Sequence, residues 1–236
     1  MNEDILQQQI AYYRARAGEY DEWFYRLNRY DRGAEINQGW FDEAAVVMQA
    51  LESLGPVEDA LELACGTGIW TQELLKIAKR VTALDVAQEV LTINREKLKS
   101  PNVTYQQADL FTWQPDRQYD LVFFSFWLSH VPPDRLDSFL AMVSHALKPG
   151  GKLFLVDSTP DLGSSAKDSP RSDDQGIFQA RKLNDGSRYT IIKVYYEPND
   201  LQAKLVAAGF AVEVNKTDHY FIYASGVKEK EAHGLS

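Results

Sequence analysis

The densest chemistry in this chain lies at Leu61-Glu62-Leu63-Ala64-Cys65-Gly66-Thr67-Gly68. Gly66 and Gly68 let a backbone pass close to a ligand, and a helix opening directly after them offers N–H groups with no intrahelical acceptor. Asp85 ends the next apolar run, Val81-Thr82-Ala83-Leu84, where an acidic group can accept both hydroxyls of a ribose. Asp109 and Leu110 follow a third run, and a carboxylate there can accept from an exocyclic adenine amine. Singly, each aspartate is as well read as a helix cap or a solvated turn. Three signals in order, each at the end of a successive strand, are much harder to produce by accident. A dinucleotide pyrophosphate is not the natural ligand, because Thr71 and the bulk of Trp70 stand where a third glycine is needed.

These residues need a scaffold, and hydrophobic periodicity supplies one. Strands are expected at 59–64, 80–85, 103–107, 119–126 and 152–157, with helices at 67–79, 88–98 and 134–147 between them. Lys148-Pro149-Gly150-Gly151 reads as a helix stop and tight turn. The alternation implies βαβ units, a mostly parallel doubly wound sheet and helices on both faces. Aromatic-rich helices are expected at 4–30 and 37–54, ended by Gly55-Pro56. The polar stretch 158–188 reads as a functional loop, a lid or disorder. A strand at 189–196, a helix at 199–208 opened by Pro198 and two closing strands follow, with a frayed tail KEKEAHGLS. The expected organisation is one α/β domain over 1–236. Within it, 1–54 would form an N-terminal helical lid, 55–157 a ligand-binding core, 158–197 a substrate-side insertion and 198–226 the closing helix and strands.

Composition narrows the function. Apolar residues at 44% and charged residues at 25% are the balance of a soluble globular protein. A net charge of −9 disfavours nucleic acid as a partner. The start, MNEDILQQQI, lacks the basic and apolar regions of a signal peptide, and no run has the ~20 apolar residues that span a bilayer. One cysteine and four scattered histidines give neither a disulfide nor metal-ligand spacing. A cytoplasmic protein without a metal is expected.

The motifs ELACGTG (62–68), VTALD (81–85), QADL (107–110), YDLVFFSFWLSHV (119–131) and LKPGGKLFLVD (147–157) together resemble those of the class I S-adenosylmethionine-dependent methyltransferases, most of all those acting on small molecules. The resemblance implies a Rossmann-like methyltransferase fold, a doubly wound, mostly parallel sheet of seven strands, with S-adenosylmethionine as cofactor and S-adenosylhomocysteine as product. It implies that Glu62, Ala64, Gly66 and Gly68 flank the methionine part, that Asp85 holds the ribose, that Asp109 and Leu110 hold the adenine, that Val86 also meets the cofactor, and that Phe126 enters the site. Ala64 stands where many relatives have a glycine, which is tolerable if its φ is negative.

His130 follows the central strand and can take a proton from a hydroxyl or amine; the bland alternative is a brace for the loop before Pro132. Related enzymes acting on small amines pair a histidine here with an N-terminal tyrosine, for which Tyr20 is the candidate. Tyr13, Trp127 and Tyr195 are expected on the substrate side, and Arg16 or Tyr20 to meet the cofactor carboxylate or close over the substrate. The expected activity is methyl transfer to an oxygen or nitrogen nucleophile of a small acceptor. The rivals are a non-catalytic cofactor-binding protein, a methyltransferase of macromolecules and an aminopropyltransferase. The sequence is silent on the acceptor's identity and on oligomeric state.

Overall fold

The computed structural model describes residues 3–168 and 176–229. Seven strands form one sheet in the order β3-β2-β1-β4-β5-β9-β8. They are β1 (Val57–Leu63), β2 (Ala78–Asp85), β3 (Val103–Gln107), β4 (Tyr119–Ser125), β5 (Leu147–Ser158), β8 (Phe210–Lys216) and β9 (Phe221–Lys228). The first five run parallel, and β9 lies antiparallel between β5 and β8. A short hairpin of β6 (Phe178–Lys182) and β7 (Arg188–Ile192) stands apart as a second sheet. The family architecture expected from the motifs is therefore present: a mostly parallel seven-stranded sheet behind N-terminal helices.

The alternation of side chains along each strand feeds two cores. Leu61, Leu63, Val122, Phe124, Leu153 and Leu155 face α6 (Leu136–Ala146) and α7 (Pro198–Ala207). Ala60, Leu121, Phe123, Phe154 and Val156 face α3 (Ala34–Glu52) and α4 (Ile69–Ile77). The remaining helices are α1 (Glu3–Arg16), α2 (Tyr20–Phe24) and α5 (Gln88–Leu98). Because β1 leads outward to β2 and β3 while β4 leads the other way to β5, the chain parts at the carboxyl ends of β1 and β4, where open α/β sheets bind ligands.

Several boundaries differ from the sequence reading. The run expected to be helical over 4–30 breaks at Arg16, passes through a 3₁₀ turn at Ala17–Glu19 and ends its helical part at Phe24. Arg26 and Asn28 then take left-handed φ of 56° and 52°, which turns the chain so that Trp23 and Phe24 pack on Trp40. The helix α3, assigned to the lid, is instead a layer of the core, with Trp40, Val47 and Leu51 fully buried. The turn expected at 148–151 is made inside a strand, β5: five steps from Leu147 to Lys152 stand against two from Tyr119 to Leu121, and Gly150 takes a φ of 75°. The stretch 158–188 holds the first strand of the hairpin, and the strand expected at 189–196 ends at Ile192. Of the tail, Lys228 ends β9, and residues 230–236 lie outside the described residues, as does 169–175 of the polar stretch. Among the described residues no helix is long and apolar enough to cross a membrane, and no group of three or more His, Cys, Asp or Glu could hold a metal ion.

Candidate functional site

A cleft of about 900 Å³, counting the space open to solvent, lies at the carboxyl ends of β1, β2 and β4, where open α/β sheets bind ligands. Ala64, Gly66, Asp85, Val86, Asp109 and Leu110 line it, and Phe126 and Trp127 continue the wall. Asp85 is set by the glycine loop itself. Gly66 N–H donates to its Oδ2 and Ala87 N–H to its Oδ1, both at 3.0 Å. Each oxygen keeps a lone pair for a further donor, so the carboxylate is preorganised for two vicinal hydroxyls. Burial pushes its pKa up to about 6 despite those N–H groups, and a donor pair arriving from a ligand would favour the charged form. Asp109 accepts from Phe111 N–H through Oδ1, and Val86 and Leu110 present apolar surface. A ribose and a purine fit this set of acceptors and apolar surface.

Three expectations about the loop need correction. Ala64 has φ of +53°, not negative, so a non-glycine residue carries left-handed strain where the strand turns. Glu62 does not line the cavity. It is fully buried under the loop, accepts from Thr71 Oγ1 at 2.6 Å and, among the described residues, leaves Oε1 without a partner. Burial raises its pKa to about 8, which leaves it largely protonated near neutrality. Gly68 also stays off the cavity wall. Its φ of +94° caps α4, and a Cβ there would sit 2.6 Å from Asn94 Oδ1. Both the positive φ and the close approach call for glycine.

A second cavity, of about 640 Å³, adjoins the first, and the two share Tyr13, Tyr20 and Phe126 as walls. Phe126 holds a φ of +50° at the end of β4, a second strained residue at the junction. His130 and Tyr195 line this second cavity, whereas Trp127, expected on the substrate side, lines the first. Trp127 turns toward Phe111 and Phe139, and its buried Nε1 has no partner among the described residues.

The histidine's surroundings decide its state. Its Nδ1 lies 2.6 Å from the Ile192 carbonyl. A carbonyl cannot donate, so Nδ1 carries the proton and Nε2 is an acceptor. The donor to Nε2 is the Tyr13 hydroxyl, at 2.7 Å. Tyr20 is not the partner. It lies against the Arg16 guanidinium and the Trp23 ring. Burial, reinforced by Lys193, lowers the His130 pKa to about 3, while burial holds the Tyr13 phenol well above its usual range. Near neutral pH this is a neutral imidazole accepting from a neutral phenol.

The sequence reading missed the groups that hold this pair in place. Gln9 donates to the His130 carbonyl at 3.1 Å and accepts from Ile192 N–H at 3.0 Å, tying α1, the histidine loop and β7 together. Lys193 lies 3.0 Å from Asp157 and donates to Ser129 and Ser158, and Asp157 in turn accepts from Ser129 N–H. A lysine inside the apolar run Thr190-Ile191-Ile192-Lys193-Val194 was a usable signal. Gln9 offered none.

The chain is similar to known proteins. The pattern of a methyltransferase domain family matches residues 60–151. The structure of a DhpI–SAH complex is 35% identical, with a TM-score of 0.79, covering 98% of this chain and all of that one. A DhpI–SAM–HEP complex is 35% identical, with a TM-score of 0.77 over 96% and 99% of the two chains. An uncharacterized methyltransferase of Bacillus mycoides is 24% identical over 217 residues, 90% of this chain and 97% of its own. A ubiquinone biosynthesis O-methyltransferase of Xylella fastidiosa is 31% identical over 149 residues, 56% of this chain and 59% of its own length.

Proposed function

Since the chain belongs to the class I S-adenosylmethionine-dependent methyltransferases, we propose that it methylates an oxygen or nitrogen nucleophile of a small molecule held in the second cavity. One observation carries this reading: the two cavities meet across Tyr13, Tyr20 and Phe126. S-adenosylmethionine is the cofactor, and when bound it supplies an electrophilic methyl group on a sulfonium. Asp85 would hold its ribose, Val86, Asp109 and Leu110 its adenine, and Ala64 and Gly66 the backbone beside its methionine part. Phe126 and Tyr20 then form the wall through which the methyl faces the acceptor.

The chain's own residues do the positioning. With its hydrogen donated to His130, the Tyr13 oxygen keeps lone pairs to accept from an acceptor O–H or N–H. Tyr13 thus aims the nucleophile's free lone pair, and alignment of this kind supplies much of the rate in displacement reactions. His130 acts through Tyr13 as a positioning residue. Its lowered pKa makes it a poor store for a proton. Trp23, Tyr20 and Phe126 keep water from the junction. The cavity lies beneath α1 and the hairpin, which suits a small acceptor better than a polymer.

The test is incubation with methyl-labelled S-adenosylmethionine and separated small-molecule and macromolecular fractions of a cell extract. Labelled small molecules appearing in step with S-adenosylhomocysteine are expected. Label confined to protein or nucleic acid, or cofactor bound without turnover, would contradict the proposal.

A further inference from the structure

The second cavity carries an imbalance of charge that the fold alone does not account for. The chain as a whole is acidic, with 34 Asp and Glu against 25 Lys and Arg. The cavity wall reverses this: Arg16, Arg181 and Lys193 line it, and among the described residues no carboxylate does.

The three cations differ in how they are answered. Lys193 is neutralised from behind by Asp157. Arg16 is only 9% exposed, its Nε is buried without a partner, and among the described residues no salt bridge reaches it. Its guanidinium lies 4.8 Å from the Tyr20 ring centroid and 5.6 Å from that of Tyr12. Aromatic faces attract a cation but offer it no acceptor for its N–H groups, whereas buried charges in proteins are paired or hydrogen-bonded. Arg181 reaches the same cavity from β6, and among the described residues its Nη1 makes only a long bond of 3.4 Å, to the neighbouring Ala180 carbonyl. Two guanidinium forks suit an oxyanion, which each can grip through parallel N–H groups. The Ser158 hydroxyl, accepting from Lys193 at 2.6 Å, keeps its own hydrogen to donate into the cavity.

We propose that the methyl acceptor carries an anionic oxygen group, phosphoryl or carboxylate, that docks between Arg16 and Arg181 and leaves its nucleophile at the Tyr13–Tyr20–Phe126 junction. The inference rests on reading this cavity as the acceptor site.

The test titrates the S-adenosylhomocysteine-bound protein with inorganic phosphate and, separately, with acetate at constant ionic strength held by chloride. Saturable binding of phosphate or acetate above the chloride background is expected, weakened at least tenfold in R181Q with S-adenosylhomocysteine affinity unchanged. Binding of phosphate alone assigns a phosphoryl group, and binding of acetate alone a carboxylate. R16Q should weaken the same anion; where it melts early, R16K keeps the charge and restores binding in part. No saturable anion binding, equal binding by R181Q, or an R16Q variant that loses only S-adenosylhomocysteine would overturn the proposal. In that last case Arg16 answers the cofactor's own carboxylate. Label transferred to neutral or cationic acceptors alone would also overturn it while leaving the methyltransferase reading intact. Absence of any small-molecule transfer would instead count against the reading on which it rests.

Discussion

The two cavities are built on opposite principles. The floor of the first is assembled from the ends of consecutive strands, with α1 laid across it, and its key contacts, such as Gly66 to Asp85, are made by backbone groups of a local motif. The second is assembled from α1, the histidine loop, the end of β5 and the hairpin, and its contacts join residues as distant as Tyr13 and His130 or Gln9 and Ile192. The first therefore recognises something constant and leaves little room for variation. The second consists of side chains on separate segments, each free to change without disturbing the sheet. A shared cofactor and a particular acceptor call for that division of labour.

The division can be broken most forcefully at Tyr13. Tyr13→Phe removes the hydroxyl that aims the nucleophile and should lower kcat by roughly 10²-fold, with S-adenosylhomocysteine affinity in calorimetry nearly unchanged. His130→Ala should lower kcat less, and the shape of its pH–rate profile should match wild type, because a histidine with a pKa near 3 does not titrate over the working range. A defect that shrinks at high pH would make His130 a general base instead.

The opposite effect is expected at Asp85. Two charge-assisted hydrogen bonds at roughly 1.5–3 kcal/mol each mean that Asp85→Ala should weaken cofactor binding at least tenfold. Asp85 also gives the first cavity a pH signature. Its folded pKa is raised, from 3.8 to about 6, so its contribution to apo stability is present at acid pH and lost as pH rises through about 6. Cofactor binding draws on the ionised form and should weaken as pH falls below about 6. Calorimetry across this range should show the dependence in wild type and lose it in Asp85→Asn.

The smallest effect belongs to Ala64. Relieving its left-handed φ by Ala64→Gly should stabilise the protein by about 1 kcal/mol, the strain of a non-glycine residue there less the added freedom of the unfolded chain. Thermal melts should show a modest rise. A loss of stability would mean that the alanine methyl packs favourably enough to outweigh the strain.

The same contrast explains what the sequence disclosed. Glu62 to Gly68, Asp85 and Asp109 were legible because a strand–loop–helix motif is contiguous and its chemistry follows from position. Even there, the motif could not tell wall from support: Glu62 and Gly68 turned out to brace the loop. The Tyr13–His130 bond was harder, since which of several tyrosines on an aromatic-rich helix faces the loop depends on where that helix breaks. The break at Arg16 rotated Tyr20 away and left Tyr13 in place. Arg181 was invisible as a site residue because its hairpin lay in a stretch that read only as polar.

The central claim is that the reacting ends of cofactor and acceptor meet at the wall formed by Tyr13, Tyr20 and Phe126. A crystal structure with S-adenosylhomocysteine tests it most directly. The account expects the ribose hydroxyls on Asp85, the purine between Val86 and Leu110, and the sulfur at that shared wall facing His130's cavity. A sulfur directed away from the second cavity, or a ligand seated elsewhere in the fold, would contradict it.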